Sequence, residues 1–224
     1  MTPLFVVVTI LLFFGIEWIV QRRKAGKVSS AASSMRSADG LLFAPRIPEG
    51  IFFAKSHTWL SLFPSGKVRL GIDDFIATLL ERADVILVKS EGDHVERGEP
   101  LLVLSDNGQA LTVRAPVSGD ILSANEKLEG AAGLMPLDLF SNGWVYTIQP
   151  CKPDEFRSLL LGNESRSWMF EELRRLRDFF AFTMEDGASA FAAIQDGGAP
   201  APGALLHLGP EVWKRFEQQF LQAE

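Results

Sequence analysis

Residues 101–123 read LLVLSDNGQALTVRAPVSGDILS, and this stretch decides the fold. Two short β-type runs, 101–104 and 111–114, flank the dipeptide Asn107-Gly108. Asn-Gly is a strong signal for a two-residue hairpin turn, because both residues tolerate a positive φ. The sequence Ala-Pro-Val-Ser-Gly follows at 115–119 and leads into a third run at 119–123. This order predicts an antiparallel β domain built around a hairpin.

Further short β-type runs extend the pattern in both directions, at 58–63, 67–72, 85–88 and 145–149. Seven strands at this spacing are typical of an all-β barrel or sandwich. Between two of them, Asp73 and Asp74 precede an apolar stretch at 75–81, which predicts one short helix with an aspartate as its N-cap. We favour capping over acid–base chemistry for this pair, because neighbouring side chains diverge.

Six landmarks in the middle of the chain occur in one order, and together they resemble the lipoyl-bearing H protein of the glycine cleavage system. The landmarks are His57-Thr58-Trp59-Leu60, Gly71-Ile72-Asp73-Asp74-Phe75, Glu91-Gly92-Asp93 with Val95 and Gly98, Ala-Pro-Val-Ser-Gly at 115–119, Asn125-Glu126 with Leu128, and Gly143-Trp144. The resemblance implies a mainly β fold with flanking helices, of the lipoyl/biotinyl barrel-sandwich type. Within it, Gly92, Gly98 and Gly119 are expected at turns.

The family attaches its lipoate to a lysine at a hairpin tip, a few residues before the Ala-Pro-Val-Ser-Gly motif. Family spacing places Gly108 at that position, within the turn Asp106-Asn107-Gly108. No lysine occurs between Lys89 and Lys127, so no shift of the alignment within the hairpin supplies one. Arg114 is no substitute, because its guanidinium stays protonated and does not form such an amide. We therefore predict a retained hairpin with no cofactor-binding residue.

The residues that usually perform catalysis or bind metals form no recognisable pattern in the sequence. His57, His94 and His207 are scattered, and no zinc-protease, dinucleotide-binding or phosphate-binding motif is present. We interpret His57 as a hydrogen-bonded residue at a strand edge. The single Cys151 forms no internal disulfide. We expect no catalytic residue, no metal site, no small-molecule substrate and no enzyme activity.

Composition also restricts the partners. The formal net charge is −6 and the isoelectric point is near 5.2. A nucleic-acid partner is disfavoured, because phosphate binding requires a concentrated basic face.

The N-terminus predicts a membrane anchor. Residues 4–20 read LFVVVTILLFFGIEWIV, and as a helix they would span roughly 26 Å, close to the hydrocarbon thickness of a bilayer. Glu17 lies near the end of the run, at interface depth, where a charge costs less. Basic residues follow the run and none precedes it, which is the reverse of a secretory signal peptide. The residues assigned to the anchor are Leu4, Trp18, Val20, Arg22, Arg23 and Lys24.

The same charge asymmetry predicts the orientation of the chain. By the positive-inside rule, a single pass through the cell (inner) membrane would leave the main body facing the cytoplasm.

Two helical segments are expected after the β domain. The first starts near Lys152, and its apolar stripe is formed by Met169, Leu173, Leu176 and Phe180. Its polar face is expected to carry Glu171, Glu172, Arg174, Arg175 and Arg177.

The second helical segment starts at Pro210 and carries Val212, Trp213, Phe216, Phe220 and Leu221 on one face. This face folds back onto its own domain, docks into a partner groove or contacts the membrane. In the second case Trp213, Phe216 and Phe220 are the candidate docking residues.

These features divide the chain into six parts. They are an anchor at 1–24, a flexible linker at 25–50, the β domain at 51–150, a helical extension at 151–186, a Gly/Ala/Pro-rich linker at 187–209 and an amphipathic helix at 210–224. We expect a non-catalytic adaptor or accessory subunit of a membrane-associated protein complex. The alternative is a component of a carrier system, which either accepts an acyl group at another of its own lysines or docks to the family's partners in a regulatory way. A hydrolytic or redox enzyme ranks third.

Overall fold

The computed structural model describes residues 45–129, 138–185 and 202–222. The strands of these segments are β1 (Ile51–Ala54), β2 (Thr58–Leu62), β3 (Val68–Ile72), β4 (Asp84–Leu87), β5 (His94–Val95), β6 (Pro100–Asp106), β7 (Gln109–Arg114), β8 (Gly119–Ala124), β9 (Trp144–Pro150) and β10 (Leu160–Leu161). The α-helices are α1 (Asp74–Leu79), α2 (Asn163–Glu185) and α3 (Pro210–Phe216). Short 3-10 turns lie at Glu126–Leu128, Pro153–Ser158 and Ala204–His207, and a π turn at Glu217–Leu221 follows α3 directly.

The strands form two antiparallel sheets with helices at their flanks. The larger sheet has the order β10-β1-β2-β3-β9-β8-β5, and the smaller has the order β4-β6-β7. All seven strands predicted from the sequence are present to within two residues at each end. The structure adds β1, β5 and β10, two of which are only two residues long and therefore leave no readable periodicity. The predicted fold class, mainly β with flanking helices, is confirmed.

Helix α1 begins where the sequence predicts. The Asp73 side chain accepts a hydrogen bond from the Ile76 backbone N–H at 3.1 Å, which is the capping role expected of it. Phe75, Ile76 and Leu79 are fully buried, so the helix closes one side of the core.

The helix expected from Lys152 starts later than predicted. Pro153–Ser158 form a 3-10 turn, and Leu160–Leu161 then pair with Phe52 and Phe53 of β1. The chain reverses at Gly162, whose φ is +62°, and only then does α2 begin at Asn163. Pairing with the open edge of β1 therefore overrides the local helical pattern of this segment.

Helix α2 confirms the predicted apolar stripe, since Met169, Leu173, Leu176 and Phe180 are all buried. The expectation for Glu172 was wrong. Its side chain belongs to the interior, with 4% of the residue exposed, because it faces His57 rather than water.

The C-terminal segment, residues 202–222, packs onto its own domain. The Gly203 backbone N–H donates to the Thr78 carbonyl at 2.7 Å, and the Trp213 indole donates to the Leu205 carbonyl at 2.9 Å. The five predicted apolar residues of its helical part are buried: Val212, Trp213, Phe216, Phe220 and Leu221. Of the alternatives for this face, folding back is the one observed, so Trp213, Phe216 and Phe220 do not form a free docking surface.

Several predictions concern residues that the structure does not describe. The anchor residues Leu4, Trp18, Val20, Arg22, Arg23 and Lys24 and the linker at 25–44 lie outside the described ranges. Among residues 45–129, 138–185 and 202–222, no helix has the length and apolar character needed to cross a bilayer. Residues 204–208, assigned from the sequence to the second linker, form a turn with Ala204, Leu205 and Leu208 buried.

Candidate functional site

The β6–β7 hairpin has the tight turn that its sequence predicts. Asp106 pairs with Gln109 and Ser105 pairs with Ala110, which leaves Asn107 and Gly108 as the two turn residues. Their φ values are +47° and +81°, and the Asn107 side-chain amide donates to Asp106 Oδ2 at 2.9 Å. Positive φ at both positions is the type I′ pattern that matches the twist of antiparallel strands.

This turn does not fit a lipoylated lysine. Gly108 has a φ of +81°, a conformation that residues with a Cβ rarely adopt, although open space surrounds it. A lysine at Gly108 would therefore strain the turn even though its side chain would meet no atom. The amide that holds lipoate in the resembling family needs an amine at the tip, and Asp106, Asn107 and Gly108 supply none.

The lysines that flank the hairpin in sequence lie elsewhere in the fold. Lys89 follows β4 near Leu87, which pairs with Leu102 at the end of β6 remote from the turn. Its ammonium already donates to Glu99 at 3.1 Å. Lys127 lies in the exposed 3-10 turn after β8. Neither replaces a tip lysine.

The C-terminal segment contacts the hairpin beside the turn. The Gln109 side-chain amide donates to the Leu208 carbonyl at 3.1 Å, across 99 residues of sequence, and α3 packs against β7. The Gln109 Oε1 atom is buried and has no donor among the described residues. Sequence reasoning missed this contact, because nothing local to Gln109 indicates a partner so distant in the chain.

The Ala-Pro-Val-Ser-Gly motif joins the two sheets. The Ala115 backbone N–H donates to the Glu99 carbonyl at 2.9 Å, and Gly119 then begins β8. A Cβ on Gly119 would come within 2.3 Å of the Gln149 carbonyl oxygen, so only glycine fits. The sequence placed Gly119 at a turn, whereas its role is the close approach of two strands.

The motif's serine is buried beneath two carboxylates. Ser118 Oγ donates to Glu155 Oε1 at 2.8 Å and also lies 3.0 Å from Glu96 Oε2, while Lys152 pairs with Glu96. The Lys152 ammonium, with the Ser118 hydroxyl, lowers the pKa of Glu96 to about 2. These contacts tie the segment after β9 to the turn between the sheets, and no cleft opens onto the hydroxyl, since Ser118 is fully buried.

His57 lies at the centre of a buried charge cluster. It occupies the turn between β1 and β2 with a φ of +59°, and it is fully buried. Its Nδ1 lies 2.8 Å from Asp73 Oδ2, its Nε2 lies 3.9 Å from Glu172 Oε2, and its ring stacks on Phe75 with centroids 4.2 Å apart. The hydrogen bond expected for His57 is present, but in a buried turn rather than at a strand edge.

The cluster continues to the C-terminal segment. Glu172 pairs with Arg175 at 2.6 Å, and Arg175 donates to the Gln219 carbonyl at 2.7 Å. Burial lowers the pKa of His57, but Asp73 and then Glu172 outweigh this and raise it to about 9. Burial raises the pKa of Glu172, but His57 and Arg175 lower it by more, so the pKa lies below its usual value. His57 is therefore protonated and lies between two carboxylates. Because His57 is fully buried, this ion cluster has a structural role.

Of the remaining titratable groups, His94 lies 3.4 Å from Glu96 and so joins the group around Ser118. Within the described ranges, no three His, Cys, Asp or Glu side chains are arranged to hold a metal ion. His94 pairs with Asp120 at 2.7 Å on the surface, and Cys151 is exposed. The feature that resembles a functional site is therefore the hairpin itself.

Comparison with known proteins shows the family to which the domain that contains this hairpin is related. The glycine cleavage H-protein family profile matches residues 51–172. This chain belongs to the glycine cleavage H-protein family. The glycine cleavage system H protein of Psychrobacter sp. (strain PRwf-1) is 31% identical over 118 residues, covering 53% of this chain and 94% of the relative. The probable glycine cleavage system H protein 2 of Sulfolobus acidocaldarius is 30% identical over 122 residues, covering 53% and 82%.

A solved H-protein structure is also similar. The crystal structure of a glycine cleavage system H protein from Mycobacterium marinum has 25% sequence identity and a TM-score of 0.42, and the match covers 53% of this chain and 94% of that one. The H-protein match ends at residue 172, so most of α2 and all of α3 follow it.

Proposed function

We propose that this chain is a membrane-anchored member of the H-protein family that lacks the lipoyl lysine and serves as a non-catalytic adaptor or accessory subunit of a membrane-associated protein complex. The proposal rests on the turn at Asn107 and Gly108. The hairpin is retained there, but its tip has no lysine to which lipoate could be attached. A carrier needs a reactive arm at this tip, whereas an adaptor needs only the shape of the domain.

Two further features support an adaptor. The apolar run at 4–20, followed by Arg22, Arg23 and Lys24, would hold the body at the cytoplasmic side of the inner membrane. The C-terminal segment contacts the hairpin at Gln109, so the domain presents a fixed surface there. Both features suit a protein recognised by its surface.

The absence of the carrier function is tested by intact-mass measurement. The full-length protein and a lipoylated relative from the same family would be produced in the same cells with labelled octanoate or lipoate. We expect the label on the relative alone. A lipoyl or octanoyl mass on this chain, mapped to 105–110, would contradict the proposal.

The adaptor function is tested on native membranes. We expect the full-length protein to remain in the membrane fraction, and crosslinking to recover it with partner polypeptides in fixed stoichiometry. A variant lacking residues 1–24 should leave the membrane fraction. Recovery of the full-length chain as a lone monomer would contradict an adaptor, and a soluble full-length chain would contradict the anchor.

The alternative is that the chain still serves a glycine-cleavage-type carrier system, either by docking to the family's partners or through acylation of another lysine. Family membership favours this alternative, because the recognised fold is retained. Label found on Lys67, Lys127 or Lys214 in the mass experiment would support it.

A further inference from the structure

A row of polar side chains crosses the face of the larger sheet that points away from the core. Cα pairing places Ser61 of β2 opposite Arg69 of β3, Arg69 opposite Thr147 of β9, and Thr147 opposite Ser123 of β8. Residues directly opposite in antiparallel strands share one face, with Cβ atoms about 5 Å apart. All four are half-buried, whereas the next residue in β3, Leu70, points into the core. We call these four residues the polar row.

Arg69 is the charged member of the polar row, and aromatic rings restrain it. Its guanidinium carbon lies 5.2 Å from the centroid of the Phe63 ring and 4.9 Å from that of Trp144. Such contacts fix the orientation of a guanidinium and leave its N–H bonds directed outward from its edge. The Arg69 Nε is buried, and it has no acceptor within the described part of the chain.

The other members of the polar row add hydrogen-bond donors. Among the described residues, the hydroxyls of Ser61, Thr147 and Ser123 have no side-chain hydrogen bond, so each remains able to donate. Lys67 lies two positions before Arg69 on the same face and is exposed. The polar row therefore combines one cation with three hydroxyl donors, and Lys67 places a second cation beside it.

The carboxylate on the same face is already engaged. Asp120 lies opposite Gln149, and the His94 ring binds it at 2.7 Å. Arg69 forms no ion pair among residues 45–129, 138–185 and 202–222. The two terminal NH2 groups of Arg69, which have no acceptor among the described residues, match a carboxylate, which accepts two parallel hydrogen bonds.

We propose that the polar row is a docking site for a protein partner that places an Asp or Glu carboxylate on Arg69 and an apolar side chain against Phe63 and Trp144. This inference rests on the proposed adaptor function and specifies the chemistry of its partner. An anionic membrane surface is the less suitable ligand, because it requires a cluster of several basic residues and the face offers Lys67 and Arg69 in a chain of net charge −6.

The test uses a defined peptide and the solubilised full-length chain. The probe is acetyl-Leu-Glu-Phe-Glu-Leu-amide, and the matched probe has glutamine in place of both glutamates. Isothermal titration should show the glutamate peptide binding about tenfold more tightly than the glutamine peptide, the effect of a bidentate charge-assisted pair. Arg69→Met should remove the difference, because methionine keeps the contact with the rings and loses the donors.

Two further variants separate docking from folding. Arg157→Met is the matched control, since the Arg157 side chain is 84% exposed and pairs with its neighbour Asp154, and it should bind like the parent protein. Thr147→Val keeps the shape of the row and should weaken the glutamate peptide several-fold. If Arg69→Met unfolds, Thr147→Val and Arg69→Lys, which keeps the charge but not the fork, still report on the site.

Three results would overturn the docking site: equal affinity for the two peptides, selectivity that survives Arg69→Met, or binding of neither peptide at millimolar concentration. Selective binding of glycerophosphoserine instead would assign the row to lipid headgroups. A chain that proves to be lipoylated but still selects the glutamate peptide through Arg69 would remove the adaptor function and leave the docking site.

Discussion

His57 shows how one side chain can join distant parts of the molecule. It belongs to the turn between β1 and β2, yet it contacts the cap of α1 through Asp73 and the middle of α2 through Glu172. Glu172 in turn holds Arg175, which binds the carbonyl of Gln219 in the C-terminal segment. A buried positive charge between two carboxylates is tolerated only while all the partners are present.

Replacing His57 should therefore be costly. We expect His57→Gln to lower the free energy of unfolding by about 3–5 kcal/mol, because Asp73 and Glu172 would keep their buried charges without a cation between them. His94→Gln is the matched control, since His94 pairs with Asp120 on the surface and its replacement should leave stability nearly unchanged. Urea unfolding measures both. If the two variants changed the free energy of unfolding equally, the buried cluster would contribute no more to stability than a surface ion pair.

The same histidine predicts a pH dependence of stability. The pKa of His57 is about 9 when folded and about 6.5 when unfolded, so folding favours the protonated form. Its contribution, of order 3 kcal/mol, is complete below about pH 6.5 and is lost as the pH rises to about 9. The lowered pKa of Glu172 works in the opposite direction, so its contribution is lost as the pH falls through the acidic range.

Unfolding by urea between pH 5 and pH 9.5 measures this dependence. We expect stability to fall on the alkaline side, and His57→Gln to remove most of that fall. An alkaline slope that is unchanged in the variant would mean that other groups cause it.

Among the elements, the β6–β7 hairpin makes the most direct prediction. Gly108→Lys places a lysine where the resemblance predicts the lipoyl attachment, but at a φ of +81° it should cost about 1–2 kcal/mol. Ala110→Lys is the control, because Ala110 is exposed on β7 and has no positive φ, so it should change stability by less than about 0.5 kcal/mol. Thermal unfolding compares them. Equal stability of the two variants would show that the turn accommodates a lysine.

For single elements, the sequence predicts local patterns well and predicts contacts between distant parts of the chain poorly. The hairpin, the cap at Asp73 and the stripe of α2 are local patterns, and each was predictable. The short pairing of Leu160–Leu161 with β1 was not, because Lys152 and Pro153 look like a helix start until the open edge of β1 is known. The candidate site follows the same rule. Its missing lysine is visible in the sequence, whereas the contact between Gln109 and Leu208 and the burial of Glu172 depend on residues far away in the chain.

For the whole molecule, the C-terminal segment is part of the core. Phe216 is fully buried, and its ring stacks on Phe220 at 4.8 Å and lies 6.4 Å from Phe75 of α1. We expect Phe216→Ala to cost about 3–5 kcal/mol, the usual loss for a buried aromatic residue. Phe182→Ala is the control, since Phe182 is 70% exposed on α2 and should have an effect below about 0.5 kcal/mol.

Chemical denaturation of both variants decides whether this packing holds in solution. A Phe216→Ala variant as stable as the parent would show that the segment leaves the domain readily, and Trp213, Phe216 and Phe220 would again be candidates for docking.

The strand order also determines how this domain can assemble. β3 pairs with β9 at the centre of the larger sheet, and β1 pairs with β10 at its edge, and in both pairs the two strands are far apart in sequence. The chain must lose the entropy of closing long loops before these strand pairs stabilise it. Domains with such topologies fold slowly, within milliseconds to seconds. Until that closure, β3 and β1 expose unpaired backbone to other chains. The newly made polypeptide therefore exposes these strand edges until the segments that contain β9 and β10 have been synthesised.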